Sequence, residues 1–170
     1  SFEEFSTLAT QGNLIPVWTE LAADYETPVS AFQKLSDGST APSFLLESAE
    51  KSDQIGRYSF LGTEPRLEIR AKERAIQHRR KGETSFTESA LTDGQDPLHE
   101  GERIMSQFSP VEVDGLPVFA GGAVGFIGYD MVRFFEPTVP GPPDEGLGLP
   151  DLAFVITETL VIFDHRFRKL

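Results

Sequence analysis

Apolar residues recur at helical spacing in three parts of the chain. Phe2, Phe5 and Leu8 predict a short first helix that ends before Gly12. Thr27 is a typical N-cap followed by Pro28, and the helix it begins should end at Gly38. A third helix is predicted to begin at 96–97, and one further helical turn is predicted over 129–135.

Other segments alternate apolar and polar residues, which predicts half-buried β-strands. The predicted strands are 14–18, 44–49, 58–62, 67–71, 76–78 and 84–88. Polar turns separate them, so neighbouring strands should pair antiparallel. The sequence therefore predicts an α+β fold of mostly antiparallel sheets with two or three packed helices.

Two later segments have distinctive patterns. Residues 151–164 are β-branched and aromatic on both faces, which predicts one long strand in a sheet interior. Glycines at 122, 125 and 128 recur every third residue, which does not match a phosphate-binding loop. We interpret the glycine segment as a strand that another element crosses closely.

Charge and composition narrow the function classes. The net charge of −12 argues against binding to nucleic acid or to an anionic membrane surface. The chain has no cysteine, no apolar run of about 20 residues and no signal-peptide pattern, so we expect a cytoplasmic protein. Seven of the fifteen basic residues fall within 66–81 and predict a solvated face, with docking to an acidic partner as the alternative.

No catalytic constellation can be assembled from the residue types. His78, His99 and His165 are far apart in sequence and lack metal-ligand spacing. There is no G-x-S-x-G elbow, and the acidic residues are spread along the chain. We therefore assign no catalytic residue, no metal site and no cofactor to this segment.

One candidate ligand site remains, where the strand 44–49 ends. A carboxylate and a hydroxyl at Glu47 and Ser48, faced by Arg57 and Tyr58, can hold both charged ends of an amino acid. The alternative is structural: Ser48 satisfies a loop amide and Arg57 pairs with Glu47.

Four motifs, taken in order, resemble the N-terminal region of anthranilate synthase component I. They are LLES at 45–48, GRYSFLG at 56–62, GGAVGFIGYD at 121–130 and LPD at 149–151. The form GFIGYD is more similar to anthranilate synthase than to aminodeoxychorismate synthase, another chorismate-utilising enzyme.

The resemblance implies a parent enzyme, a lyase that converts chorismate and ammonia to anthranilate and pyruvate in tryptophan biosynthesis. It implies a glutamine amidotransferase subunit as partner, and a Mg²⁺ site and catalytic residues in a C-terminal half. Residues 1–170 would then be a non-catalytic N-terminal domain of a larger two-layer synthase fold. The catalytic half would follow Leu170.

The resemblance also implies a feedback site for L-tryptophan. Ser48 matches the family's tryptophan contact, Glu47 adjoins it, and the segment Ile55, Gly56, Arg57 and Tyr58 matches a second wall, with Tyr129 and Asp151 as weaker candidates. A third wall would come from the C-terminal half. Two other functions stay open: component I of aminodeoxychorismate synthase in the folate pathway, and a non-enzymatic interaction domain that uses the basic face.

Overall fold

The computed structural model describes residues 1–48, 56–117, 119–141 and 147–170. These residues divide into two compact units. Unit 1 comprises Ser1–Pro65, Phe108–Gly122 and Thr157–Leu170, and unit 2 comprises Arg66–Gln107 and Ala123–Ile156.

The described residues form four α-helices, eight β-strands and one 3₁₀ turn. In chain order they are α1 (Phe2–Leu8), α2 (Pro28–Ser36), β1 (Phe44–Leu46), β2 (Tyr58–Gly62), β3 (Leu67–Lys72), β4 (Ala75–Arg80), β5 (Thr87–Ala90), α3 (Pro97–Met105), β6 (Ala123–Ile127), the 3₁₀ turn Tyr129–Met131, α4 (Val132–Phe135), β7 (Leu152–Ile156) and β8 (Val161–Asp164).

Unit 1 contains a three-stranded antiparallel sheet in the order β1-β2-β8. Its core forms where Ala31 of α2 packs with Leu61 of β2 and Phe163 of β8. Helix α2 starts where the sequence predicts, because Thr27 and Ser30 cap each other in a reciprocal capping box and Pro28 occupies the first turn.

Unit 2 contains a five-stranded antiparallel sheet in the order β5-β4-β3-β7-β6. Its buried apolar side chains come from the sheet, from α3 and from the 3₁₀ turn, and are Ile69, Ala71, Ile76, Ile104, Met131, Leu152 and Ile156. Helix α3 begins after Asp96, whose carboxylate accepts the backbone N–H groups of Leu98 and His99. The predicted α+β class with antiparallel sheets is confirmed.

Three predicted strands differ from the structure. Residues 14–18 form no strand but a single bridge from Leu14 to Pro110, because Pro16 has no N–H to donate to a ladder. The strand predicted over 44–49 ends at Leu46. The strand predicted over 84–88 runs instead from Thr87 to Ala90, and the ring of Phe86, just before it, lies under arginine side chains.

The long strand predicted over 151–164 is two strands in different sheets. The polar residues after Ile156 interrupt the apolar run, and the chain then leaves the sheet of unit 2 and enters that of unit 1. Strand β7 is interior, between β3 and β6, as predicted, whereas β8 is an edge strand beside β2. A residue pattern shows burial on two faces but does not show in which sheet each half pairs.

Strand β6 contains Gly125, the middle glycine of the series at 122, 125 and 128. A Cβ built on Gly125 would lie 1.9 Å from the carbonyl oxygen of Ala153 on β7, so only glycine fits this pairing. The predicted close crossing is confirmed, and β7 makes it. Among the described residues, no helix has the length and apolar character needed to cross a bilayer.

Candidate functional site

Glu47 and Ser48 lie just beyond the paired residues of β1 and are exposed. Leu46 pairs with Phe60, and the two strands are antiparallel, so β1 runs toward the end of the sheet where β2 begins. The register therefore places Glu47, Ser48 and Tyr58 at the same end of the sheet in unit 1. Ile55 lies outside the described residues.

Arg57, immediately before β2, is held by Asp164 at the end of β8. The Arg57 Nη2 donates to Oδ2 of Asp164 at 2.6 Å, and Nε lies 3.2 Å from both carboxylate oxygens. The guanidinium lies over the rings of Tyr58 and Phe167, with its central carbon 4.7 Å and 5.1 Å from the ring centroids. Arg57 thus pairs with Asp164 and not with Glu47, the partner considered from sequence.

Asp164 also orders the turn that follows β8. Its Oδ1 accepts the backbone N–H groups of Arg166 at 3.1 Å and Phe167 at 3.2 Å. Burial acts to raise the pKa of Asp164, but the bonds from Arg57 and from these two amides outweigh it and hold the pKa below its usual value. The hydrogen bond to Asp164 in turn raises the pKa of Arg57.

His165 makes two further contacts to the start of β2. Its backbone N–H donates to the carbonyl oxygen of Arg57 at 2.9 Å, and its Nε2 shares a 2.7 Å hydrogen bond with Oγ of Ser59. Ser59 is 2% exposed, so its hydroxyl is sealed from ligands. Sequence reasoning missed Asp164, Ser59 and His165, because their partners lie more than 100 residues away along the chain.

The two weaker candidates lie in unit 2. Tyr129 begins the 3₁₀ turn and is 88% exposed. Asp151 is 2% exposed, and its carboxylate accepts from Nζ of Lys72 at 3.0 Å and from the backbone N–H of Glu73 at 2.6 Å. These bonds give the Asp151 carboxylate a structural role inside unit 2.

The chain is similar along almost its whole length to proteins that share one name. The chain is 34% identical over 171 residues to anthranilate synthase component 1 of Acetivibrio thermocellus. This match covers 100% of this chain and 33% of that protein. It is 39% identical over 170 residues to the Synechocystis sp. protein of the same name (99% and 32%) and 37% identical over 172 residues to that of Pseudomonas aeruginosa (99% and 33%).

This chain is related to anthranilate synthase component I. The resemblance inferred from its four motifs is confirmed. The chain spans about a third of the length of these component I relatives. No family model matches the chain.

Among solved structures, the crystal structure of anthranilate synthase component I from Streptococcus pneumoniae TIGR4 is similar at a TM-score of 0.48 and 24% identity. The match covers 90% of this chain and 30% of that one.

Several basic residues of the cluster at 66–81 form ion pairs with acidic residues of this chain. In the stretch 66–81, Arg70 and Arg79 contact the carboxylate of Glu68, Lys72 contacts Asp151, and Arg74 contacts Asp93. Glu68 is buried, so part of the cluster serves the sheet itself. The exposed members of the cluster fit the predicted solvated face, whereas Arg70 and Arg79 are half-buried against Glu68. The pairings within the chain do not favour docking, the alternative considered from sequence.

The Mg²⁺ implied for the anthranilate synthase reaction has no candidate site in the described part of this chain. Within residues 1–48, 56–117, 119–141 and 147–170, no three His, Asp or Glu side chains converge as metal ligands would.

Proposed function

We propose that this chain is the N-terminal domain of an anthranilate synthase component I. The observation that carries the proposal is identity of 34–39% over essentially the whole chain to proteins of that name. The complete enzyme would convert chorismate and ammonia to anthranilate and pyruvate, with a glutamine amidotransferase subunit supplying the ammonia. Its predicted location is the cytoplasm.

In this proposal the domain itself does no chemistry. The serine–histidine pair of Ser59 and His165 has its hydroxyl buried in β2 and hence no access to a substrate. Catalytic residues and the Mg²⁺ site would lie in the remaining two thirds of the polypeptide.

The domain would supply one side of a pocket for L-tryptophan. Glu47 and Ser48 are exposed at the end of the sheet where Tyr58 begins β2, which supports their use as ligand contacts. The Glu47 carboxylate suits the ammonium of an amino acid, and the Ser48 hydroxyl can donate to its carboxylate. The positive charge of Arg57 is already balanced by Asp164, so we propose that its flat face and the Tyr58 ring contribute surface to the indole.

The size of the indole indicates why one side is not enough. An indole buries on the order of 150–250 Å², which at about 25 cal/mol per Å² gives roughly 4–6 kcal/mol before the costs of association. Removing one wall leaves little affinity. Binding should therefore require polypeptide beyond this chain.

Feedback would act as a population shift. A ligand moves a conformational equilibrium only by its different affinities for the two states. Tryptophan held between the segment 47–48 and the catalytic half would favour the inhibited state.

Two measurements on the full-length enzyme test these proposals separately. Product analysis with chorismate and ammonia should yield anthranilate, whereas aminodeoxychorismate would assign the folate branch instead. In the second measurement, Ser48→Phe should raise the tryptophan concentration for half-inhibition by a larger factor than it changes turnover without tryptophan. Ser6→Ala, an exposed hydroxyl on α1, is the control, and wild-type inhibition of Ser48→Phe would exclude Ser48 from the site.

A further inference from the structure

The turn after β8 is held by backbone hydrogen bonds within unit 1. Asp164 and Lys169 exchange backbone hydrogen bonds, Asp164 N to Lys169 O at 2.8 Å and Lys169 N to Asp164 O at 3.3 Å. Leu21 and Leu170 also exchange backbone bonds, at 2.7 Å and 2.8 Å. The turn 164–169 is therefore closed on itself and tied to a second segment of the unit.

Three contacts run from this turn to the start of β2. They are the Arg57–Asp164 ion pair, the bond from the His165 amide to the Arg57 carbonyl, and the Ser59–His165 side-chain bond. Asp164 connects the turn to Arg57, because its carboxylate accepts hydrogen bonds from the turn amides and from the guanidinium. Its side chain is 9% exposed, so the pair is shielded from solvent on the Asp164 side.

We infer that Asp164 is a positioning residue for the effector site, acting through Arg57 on the wall formed by Arg57 and Tyr58. The inference rests on the proposed tryptophan pocket. It assigns a part in regulation to a residue that lies 107 positions from Arg57 in the sequence. Asp164 does not contact the ligand in this scheme. It fixes the guanidinium against the Tyr58 ring before the ligand arrives.

The physical effect is preorganisation. Without Asp164, the long Arg57 side chain is free to leave the Tyr58 ring and has to be ordered again when tryptophan binds. Ordering such side chains on binding reduces affinity, and we expect an increase of about tenfold in the tryptophan concentration for half-inhibition. The carboxylate also neutralises Arg57, so its loss changes the charge that the ligand meets.

Two single variants and their combination test this in the full-length enzyme with L-tryptophan. Asp164→Asn keeps an oxygen for the amides of Arg166 and Phe167 but loses the charge, and Arg57→Lys keeps the charge but loses the planar fork. Each should raise the half-inhibition concentration about tenfold, by more than it changes kcat. The half-inhibition concentration of the double variant should not exceed that of the more affected single variant, because both changes break the same contact.

Ala31→Gly controls for a general loss of stability in unit 1. It weakens the core around Leu61 and Phe163 without touching the turn, and should lower Tm while keeping the half-inhibition concentration. If Asp164→Asn fails to fold, Asp164→Glu, which keeps the charge but moves the carboxylate relative to Arg57, takes its place. Arg57→Lys serves in the double variant, because Arg57 itself contributes surface to the proposed pocket. Unchanged tryptophan inhibition in the variants, alongside impaired inhibition in Ser48→Phe, would overturn the role of Asp164 alone. Absence of tryptophan inhibition in the wild-type enzyme would overturn the effector site and this inference together.

Discussion

The carboxylate of Asp151 holds the hairpin turn between β3 and β4 through the backbone of Glu73. Its Oδ2 accepts the Glu73 N–H at 2.6 Å, and Glu73 has a φ of +50°, in the left-handed region that non-glycine residues seldom adopt. Lys72, beside it, donates to the other oxygen. A buried acid in the motif LPD therefore stabilises a strained turn nearly 80 residues earlier in the chain.

Replacing Asp151 should test that role. Asp151→Asn removes the charge and leaves one oxygen for two donors, so we expect the free energy of unfolding to fall by about 1–3 kcal/mol. Urea denaturation of the 170-residue chain measures this. Asp93→Asn, at an exposed carboxylate paired with Arg74, is the control and should leave the midpoint in place. Equal midpoints for the two variants would show that the Asp151 carboxylate does not stabilise the turn at Glu73.

The glycine at position 125 should be irreplaceable for packing reasons alone. Gly125→Ala places a methyl group against the Ala153 carbonyl and should lower the free energy of unfolding by about 1–3 kcal/mol. Gly101 in α3 has open space around its Cβ position, so Gly101→Ala should stabilise the helix by about 0.5–1 kcal/mol. A Gly125→Ala variant as stable as wild type would refute the close approach of β6 and β7.

The buried carboxylate of Glu68 depends on its arginine partners. Arg79 donates to Oε1 of Glu68 from Nε at 2.8 Å and from Nη2 at 2.6 Å. Arg79→Leu leaves the buried Glu68 carboxylate with the longer 3.4 Å contact from Arg70 and should lower stability by up to about 3–5 kcal/mol, whereas the double variant Glu68→Leu, Arg79→Leu should recover much of that loss. Chemical denaturation of both variants measures the difference, and a double variant less stable than Arg79→Leu would argue against the pair.

The stability of unit 2 should depend on pH through His78. Burial lowers the pKa of His78, Glu100 opposes this, and Arg103 and Arg80 add to it. The folded pKa of His78 is lower than its unfolded pKa of about 6.5, so the unfolded chain binds a proton first as the pH falls. The free energy of unfolding is therefore highest above about pH 6.5 and decreases as the pH falls from there toward the folded pKa.

The measurement is the urea midpoint at pH values from about 7.5 down to 5, a range that spans the unfolded histidine pKa of about 6.5. Wild type should lose stability over this range more steeply than His78→Leu, which cannot bind a proton there. Glu100, whose pKa is lowered chiefly by its hydrogen bond from Arg103, loses its contribution only at lower pH. Identical slopes for wild type and His78→Leu would show that His78 takes no part.

Local features of the sequence predict local structure well. Thr27 and Asp96 mark the starts of α2 and α3 because a capping side chain acts within three residues of itself. The apolar run at 151–164 predicts burial but not its division between two sheets, since strand pairing depends on partners far away in the chain. Long-range pairing also limits what the sequence shows of the site. Ser48 and Glu47 stand out by residue type, whereas the role of Asp164 is visible only in the structure, where β8 pairs with β2.

The most direct test of the account is calorimetry of L-tryptophan binding to the 170-residue chain and to the full-length enzyme. We expect the full-length enzyme to bind tryptophan and Ser48→Phe to weaken that binding. The 170-residue chain should bind at most weakly, because one wall of the pocket is missing. Equal affinity in the two proteins would contradict it, as would a full-length enzyme that binds no tryptophan.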